Sequence, residues 1–369
     1  MGLLRFLLAI CVVLSHTTRY GNGPVAVEAF FIISGFYITL ILNEKYINGN
    51  NSYWLFISNR FLRLFPLYWT VLLLTLLCAL LIPGFNAKAH PGGLEMYKEY
   101  GHNLSFTTYF YLIFTNICIF FQDTSLFLGI SLHTGNLYYT HDFRITNPPV
   151  WQFELLTQAW SISLELIFYL IAPFILRKKW GWIIVAIIGS MLLKIYGSTH
   201  NYGNDPWNYR FFPFELMYFL LGSVAYLFYK NVIKKVQVPR IINIGLLSIV
   251  AGYTVFYSVL HFKYVYELYI LCVFSFMPFL FKYTKDIKID RFIGELSYPI
   301  YITHVLMMNL SRTAGVKHLA IPTILGSIIA SIILIKFLGD KIERVRQARV
   351  KSGKGVSKVS NALSPIIYN

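Results

Sequence analysis

The chain has 369 residues, 56% of them hydrophobic, 18% aromatic and only 13% charged, with a mean hydropathy of +0.57. A water-soluble domain carries about a quarter charged residues, and the ten-residue alternating segments of a β-barrel are missing. Both classes are excluded, and the composition reads as an all-α polytopic membrane protein. The net charge of +16 lies in short basic stretches between apolar runs, at 177–179, 230–240, 282–291 and 336–358. That is the pattern of cytoplasmic loops, not of a nucleic-acid face, so no nucleic-acid partner is expected. Cys11, Cys78, Cys118 and Cys272 each sit in an apolar segment without a CxxC partner, which argues against a disulfide framework or a metal site.

In chain order, apolar runs fall at 3–18, 25–43, 61–82, 106–122, 157–176, 181–197, 210–229, 241–260, 264–281, 296–313 and 321–339. The first could pass for a signal peptide, but no small-x-small cleavage site follows before Pro24, so it reads as a retained span. Parity settles the count. The basic stretch at 177–179 belongs inside, which requires 106–122 to be interfacial or re-entrant and leaves about ten spans with both termini cytoplasmic. Nine of the 32 Lys and Arg residues then fall outside and the other 23 inside, with Arg5, Arg60 and Arg63 among the latter. Such a chain crosses its membrane many times. Residues 83–156 are rich in Tyr, Phe, His, Asn and Thr, which suits an outer lid over a polar substrate as well as an interfacial belt. The reading divides the chain into a membrane domain over 1–345 and a basic, disordered cytoplasmic tail over 346–369 near anionic lipid.

Ionisable residues inside spans are costly, and so each needs a reason. Eleven positions separate Arg5 from His16, about 16 Å along a helix axis. His16 therefore lies near or past the midplane. Glu28 opens the second span just after the turn Gly21-Asn22-Gly23-Pro24. A carboxylate there orients the imidazole for general-base work or closes a structural ion pair. In the same run Ser34 donates to substrate or to its own backbone, and Gly35 permits close helix contact.

Arg60 and Arg63 share a helix face three residues apart and sit at the same end as Arg5. Three guanidinium groups make a phosphate clamp; positive-inside anchoring accounts for Arg60 but less well for Arg63. Trp160 opens the span holding Glu165, an isolated carboxylate. Glu215 has Arg210 as its expected partner. Ser297 and His304 lie in Ser297-Tyr298-Pro299-Ile300-Tyr301-Ile302-Thr303-His304, where a satisfied core histidine is as good a reading as a catalytic one.

In order and spacing these pieces resemble the acyltransferase 3 family of bacterial membrane acyltransferases, over essentially residues 1–345. The matching pieces are Arg5-x10-His16, Glu28 through Phe36, Arg60-x-x-Arg63 with Pro66, Trp160 through Glu165 with Phe168-Tyr169, Ser297 through His304, and Lys341-Ile342-Glu343-Arg344. Two departures stand out. Glu28 replaces a frequent Asp, and Leu166 stands where a second acidic residue often follows Glu165.

The resemblance implies O-acyl transfer, usually of acetyl, from cytoplasmic acyl-coenzyme A to a hydroxyl of a surface or exported carbohydrate, free or lipid-linked. It also implies a stand-alone membrane form with no permanently bound cofactor. On this reading Arg5, Arg60 and Arg63 hold the donor's phosphates. His16 is the base, oriented by Glu28. Glu165, Ser34, Trp160, Ser297 and His304 serve catalysis or line the acceptor side. The competing class is a transporter or flippase of a lipid-linked glycan or small anion.

Overall fold

The computed structural model describes residues 1–46, 52–85, 93–177 and 180–353. Its helices, in chain order, begin with α1 (Gly2–Thr17), α2 (Gly23–Glu44) and α3 (Ser52–Leu81). A long connection follows, carrying α4 (Leu94–Tyr100), α5 (Phe106–Cys118) and a small antiparallel hairpin of β1 (Leu128–Ile130) and β2 (Leu137–Tyr139). Then come α6 (Trp160–Ile175), α7 (Trp180–Thr199), α8 (Trp207–Arg210), α9 (Phe212–Phe228), α10 (Arg240–Phe256) and α11 (Val265–Thr284). The chain closes with α12 (Lys288–Glu295), α13 (Ser297–Thr313), α14 (Ala320–Leu334) and α15 (Asp340–Gly353).

Among the described residues eight helical segments are long and apolar enough to cross a membrane. The shorter α1 and α13, of 16 and 17 residues, pack among them, which matches the ten-span reading. In keeping with a lipid solvent, large apolar side chains face outward along α7, α10 and α14, for example Leu192, Ile249 and Ile329.

The 106–122 segment behaves as parity requires. α5 has 13 residues, about 20 Å of helix, too short to cross. It presents an apolar stripe of Phe106, Phe110, Ile113 and Ile117 outward, and Ser105 caps its start. At its other end, carbonyls that no helix bond can satisfy are met by α3: Tyr68 donates to Asn116 O at 2.6 Å and Trp69 Nε1 to Ile117 O at 2.9 Å. Beneath it, Met96, Leu112, Ile130, Val150 and Phe153 form a small separate core for the long connection.

The centre of the bundle is built on α2. A Cβ on Gly35 would occupy the carbonyl of Phe219, and one on Gly222 the carbonyl of Ile32, so α2 and α9 touch backbone to backbone. Phe31, Phe219 and Phe168 stack across this contact at 4.6 and 4.5 Å, joining α6 to the pair. The expected close helix contact at Gly35 is thus made with α9.

Asp290 of α12 caps α1 from outside. Its Oδ2 accepts from Gly2 N at 2.7 Å and Met1 N at 2.9 Å, and its Oδ1 from Leu3 N at 2.8 Å. Burial pushes this carboxyl up, but the ammonium and the two amides outweigh it and hold it below its ordinary range. The last helix departs from the expected division at 345. Arg346 is 6% exposed and donates to Asn59 O at 3.0 Å, and Arg349 reaches Ser58 Oγ at 2.8 Å. Residues 346–353 are thus helical, and Arg346 and Arg349 dock on α3; the remainder of the tail reading, 354–369, lies outside the described residues.

Candidate active site

A cavity of about 440 Å³ opens at the end of the bundle that holds the start of α1. Arg5, Arg60 and Arg63 line it, as the sequence led us to expect, and Lys285, Arg291 and Arg346 line it as well. Helix geometry explains the grouping. Arg60 and Arg63 lie on one face of α3, Arg5 is on the first turns of α1, and the α12 and α15 segments pack across both. Arg60 is 2% exposed, with its guanidinium 6.0 Å from the Phe56 ring centroid. Glu343 pairs with Arg346 at 2.5 Å.

The cavity is also lined by α2, α6 and α13. Its polar wall there is a linked triplet: Ser34 donates to Glu165 Oε1 at 2.5 Å, and the Tyr169 hydroxyl donates to the same oxygen. Glu165 was expected beside His16 on the acceptor side; it belongs instead to the arginine-lined cavity, because α6 turns this face toward α2 and α3. Ser297 also lines the cavity, but its hydroxyl is spent on Gly294 O at 2.7 Å. The lining ends at Phe30, Ser161 and Tyr301, with Phe30 and Tyr301 rings 6.5 Å apart.

His16 and His304 lie beyond that wall and take no part in the lining. Their rings face each other, with centroids 5.0 Å apart and planes at 43°. His16 is exposed and His304 is fully buried. The expected Glu28–His16 pair is not formed. Glu28 Oε1 lies 3.4 Å from Lys194 Nζ, which also binds Glu215 Oε1 at 3.0 Å and the Tyr218 hydroxyl at 2.9 Å. The cause is helix rotation: His16 and Glu28 sit near the same turn, but Glu28 faces α7 and α9, while His16 faces α13. The expected Glu215–Arg210 pair is also replaced. Arg210 binds Asp205 at 2.7 Å and lies 4.4 Å over the Trp160 ring. Trp160 stacks edge-on with Tyr209 at 4.8 Å, outside the cavity.

Sequence reasoning missed Lys194, Tyr169 and the contributions of α12 and α15 to the cavity. Lys194 carried a usable signal, being an isolated lysine within the apolar run 181–197. Tyr169 stood in the matched piece Phe168-Tyr169 but was given no role, since a tyrosine in a span is ordinary.

The long connection holds further buried carboxyls, Asp123 and Glu154. Glu154, 2% exposed, accepts from Thr115 Oγ1 at 2.7 Å and Gln122 Nε2 at 3.0 Å. Burial raises it to about 8 against the weaker pull of those two donors.

Among known proteins, the family model described as an acyltransferase domain, acyltransferase 3, matches residues 1–338. A protein of Aquifex aeolicus (strain VF5), named "Uncharacterized protein", is 23% identical over 210 residues, covering 54% of this chain and 92% of that one. "Putative acetyltransferase ORF330" of Acidianus two-tailed virus is 29% identical over 168 residues, 42% of this chain and 50% of its own length. No solved structure matches. With the family model spanning the ten-helix bundle and its arginine-lined cavity, the chain belongs to the acyltransferase 3 family and is a membrane acyltransferase.

Proposed function

We propose that this protein moves an acyl group, acetyl in the first instance, from cytoplasmic acyl-coenzyme A to a hydroxyl of a surface or exported carbohydrate, free or lipid-linked. It does so in an inner membrane with both termini cytoplasmic. The observation that carries the proposal is the cavity, cationic at its mouth and ending one ring short of a histidine pair. The donor has the matching polarity, with phosphates at one end and a thioester at the end of a long arm.

Arg5, Arg60 and Arg63 hold the phosphates by charge-assisted hydrogen bonds, with Lys285 and Arg291 beside them. The arm lies along the Ser34–Glu165–Tyr169 wall and brings the thioester to Phe30 and Tyr301. From the opposite side the acceptor hydroxyl meets His16, which is accessible where His304 is not. His16 takes the hydroxyl proton as the oxygen attacks the thioester carbon. The carbon–sulfur bond then breaks, and His16 returns the proton to the leaving thiolate, so that ester and free coenzyme A are formed with no net proton change. The two spaces join where the Phe30 and Tyr301 rings part.

The test uses the whole protein in lipid nanodiscs with radiolabelled acetyl-coenzyme A and a lipid-and-glycan extract of the cells that make it. H16A is expected to lose transfer while keeping acetyl-coenzyme A binding and its melting temperature. Undiminished transfer by H16A overturns the assignment. Free coenzyme A released only when acceptor is added separates transfer from transport.

A further inference from the structure

The fully buried His304 has a bonding pattern that the steps above do not use. Its Nδ1 lies 2.6 Å from the carbonyl oxygen of Tyr301. A carbonyl oxygen only accepts, so Nδ1 carries the proton, and Nε2 is left with a lone pair. That Nε2 is buried without a hydrogen-bond partner among the described residues. A buried acceptor left unsatisfied costs about 1–3 kcal/mol, and such an atom persists where a partner is supplied during function.

The group that holds His304 in this state is itself well anchored. The Tyr301 hydroxyl donates to Gln158 O at 2.9 Å and lies 2.6 Å from Ser161 Oγ, while Gln158 Nε2 donates to Ile302 O at 2.7 Å. The start of α6 thereby clamps this turn of α13. Two rings face His304, those of Tyr301 at 5.9 Å and His16 at 5.0 Å. The Tyr301 hydroxyl proton is already committed to Gln158, so His16 brings the ring N–H that remains.

We propose that His304 is the positioning residue for His16: during transfer its Nε2, unpartnered in the structure, accepts the N–H of His16 and turns the other His16 nitrogen, as a bare lone pair, toward the acceptor hydroxyl. This rests on the reading of His16 as the base. The logic is that of nucleophile–base–orienter triads, in which the third group fixes ring and tautomer, and a neutral amide serves there as well as a carboxylate. Here the orienter is a neutral imidazole, and Glu28, committed to Lys194, is not needed for it.

The test compares H304F, H304Q, H16A and the H16A/H304F double variant in nanodiscs, with acetyl-coenzyme A and the same cell extract. Phenylalanine fills the space without an acceptor atom; the glutamine amide reaches the ε position and restores one. The kcat of H304F is expected to fall about 100-fold, the order of what a well-placed base contributes, with KM for acetyl-coenzyme A unchanged. H304Q is expected to recover part of it, and the double variant to be no slower than H16A, because His304 acts through His16. Full activity in H304F, glutamine no better than phenylalanine, or losses that multiply in the double variant overturns the proposal. H16A distinguishes the two readings: if it transfers normally, the base assignment itself fails, whatever H304F does. A further measurement is spectroscopic. The nitrogen-15 spectrum of histidine-labelled protein must show the ring whose signals vanish in H304F protonated at Nδ1; protonation of that ring at Nε2 overturns the proposal.

Discussion

The two ends of the bundle handle charge in opposite ways. At the cavity mouth, six Lys and Arg side chains and the N-terminus share one space with five carboxylates, Glu165, Asp290, Glu295, Asp340 and Glu343, which leaves a modest positive surplus. At the other end charges meet in local clusters: Lys194 lies between Glu28 and Glu215, and Asp205 lies between Arg144 and Arg210. The two facing imidazoles of His16 and His304 take no part in those pairs. An end with surplus positive charge is built to take an anion. An end whose charges are already paired leaves neutral groups, which suits proton transfer better than anion binding.

The sharpest way to break this comparison is to unpair the balanced end. K194M strands two buried carboxylates, which costs about 3–5 kcal/mol when one partner of a buried pair is removed. The variant is expected to melt well below the native protein, and K194M/E215Q to regain part of the loss. Equal melting of K194M and wild type would show that the ion cluster does not hold α2, α7 and α9 together.

Next in size is the surplus end. R63A is expected to weaken acetyl-coenzyme A binding about tenfold, or about 1.4 kcal/mol, while R63K recovers only part because a point charge replaces a bidentate fork. Melting is expected to change little. Binding by calorimetry that is the same for R63A and wild type would remove the arginines from donor recognition.

Smaller again is S34A, which deletes one donor to Glu165 and is expected to cost about 1 kcal/mol of stability. If Glu165 lines the donor arm, KM for acetyl-coenzyme A rises as well; an altered kcat with constant KM would move Glu165 back toward the chemistry.

Last comes Glu154, in the long connection. Its folded carboxyl is raised to about 8, so between the ordinary carboxylate range and about pH 8 the folded state holds a proton that the unfolded state has released. Stability is therefore greatest below that window and falls as pH rises through it. E154Q is expected to flatten this dependence, seen as a smaller loss in melting temperature between pH 5.5 and 8.5. An unchanged slope would place the pH sensitivity elsewhere, for instance at Asp123, raised to about 6 by burial.

Much of the fold was legible in the chain because a bilayer imposes a length on every span and a charge bias on every loop. Apolar run lengths marked the candidate spans, the parity of basic loops denied the 106–122 run a crossing, and Arg60 and Arg63, three apart, had to share a face. The partners of Glu28, Glu165 and Glu215 were misread for one common reason. Depth along a helix follows from counting residues, whereas the neighbour a side chain meets depends on helix rotation, and each residue turns by about 100°. An error of one position in that rotation leaves the depth almost unchanged and changes the partner.

The sequence alone therefore determined the class of protein, the helices and the arginine grouping, all properties of one helix measured against a slab. Only the tertiary structure decided that Lys194 takes Glu28, that Ser34 and Tyr169 take Glu165, and that His304 meets His16. Those pairings depend on backbones brought into contact at Gly35 and Gly222, and that packing sets which faces of α2, α6, α7, α9 and α13 look at one another.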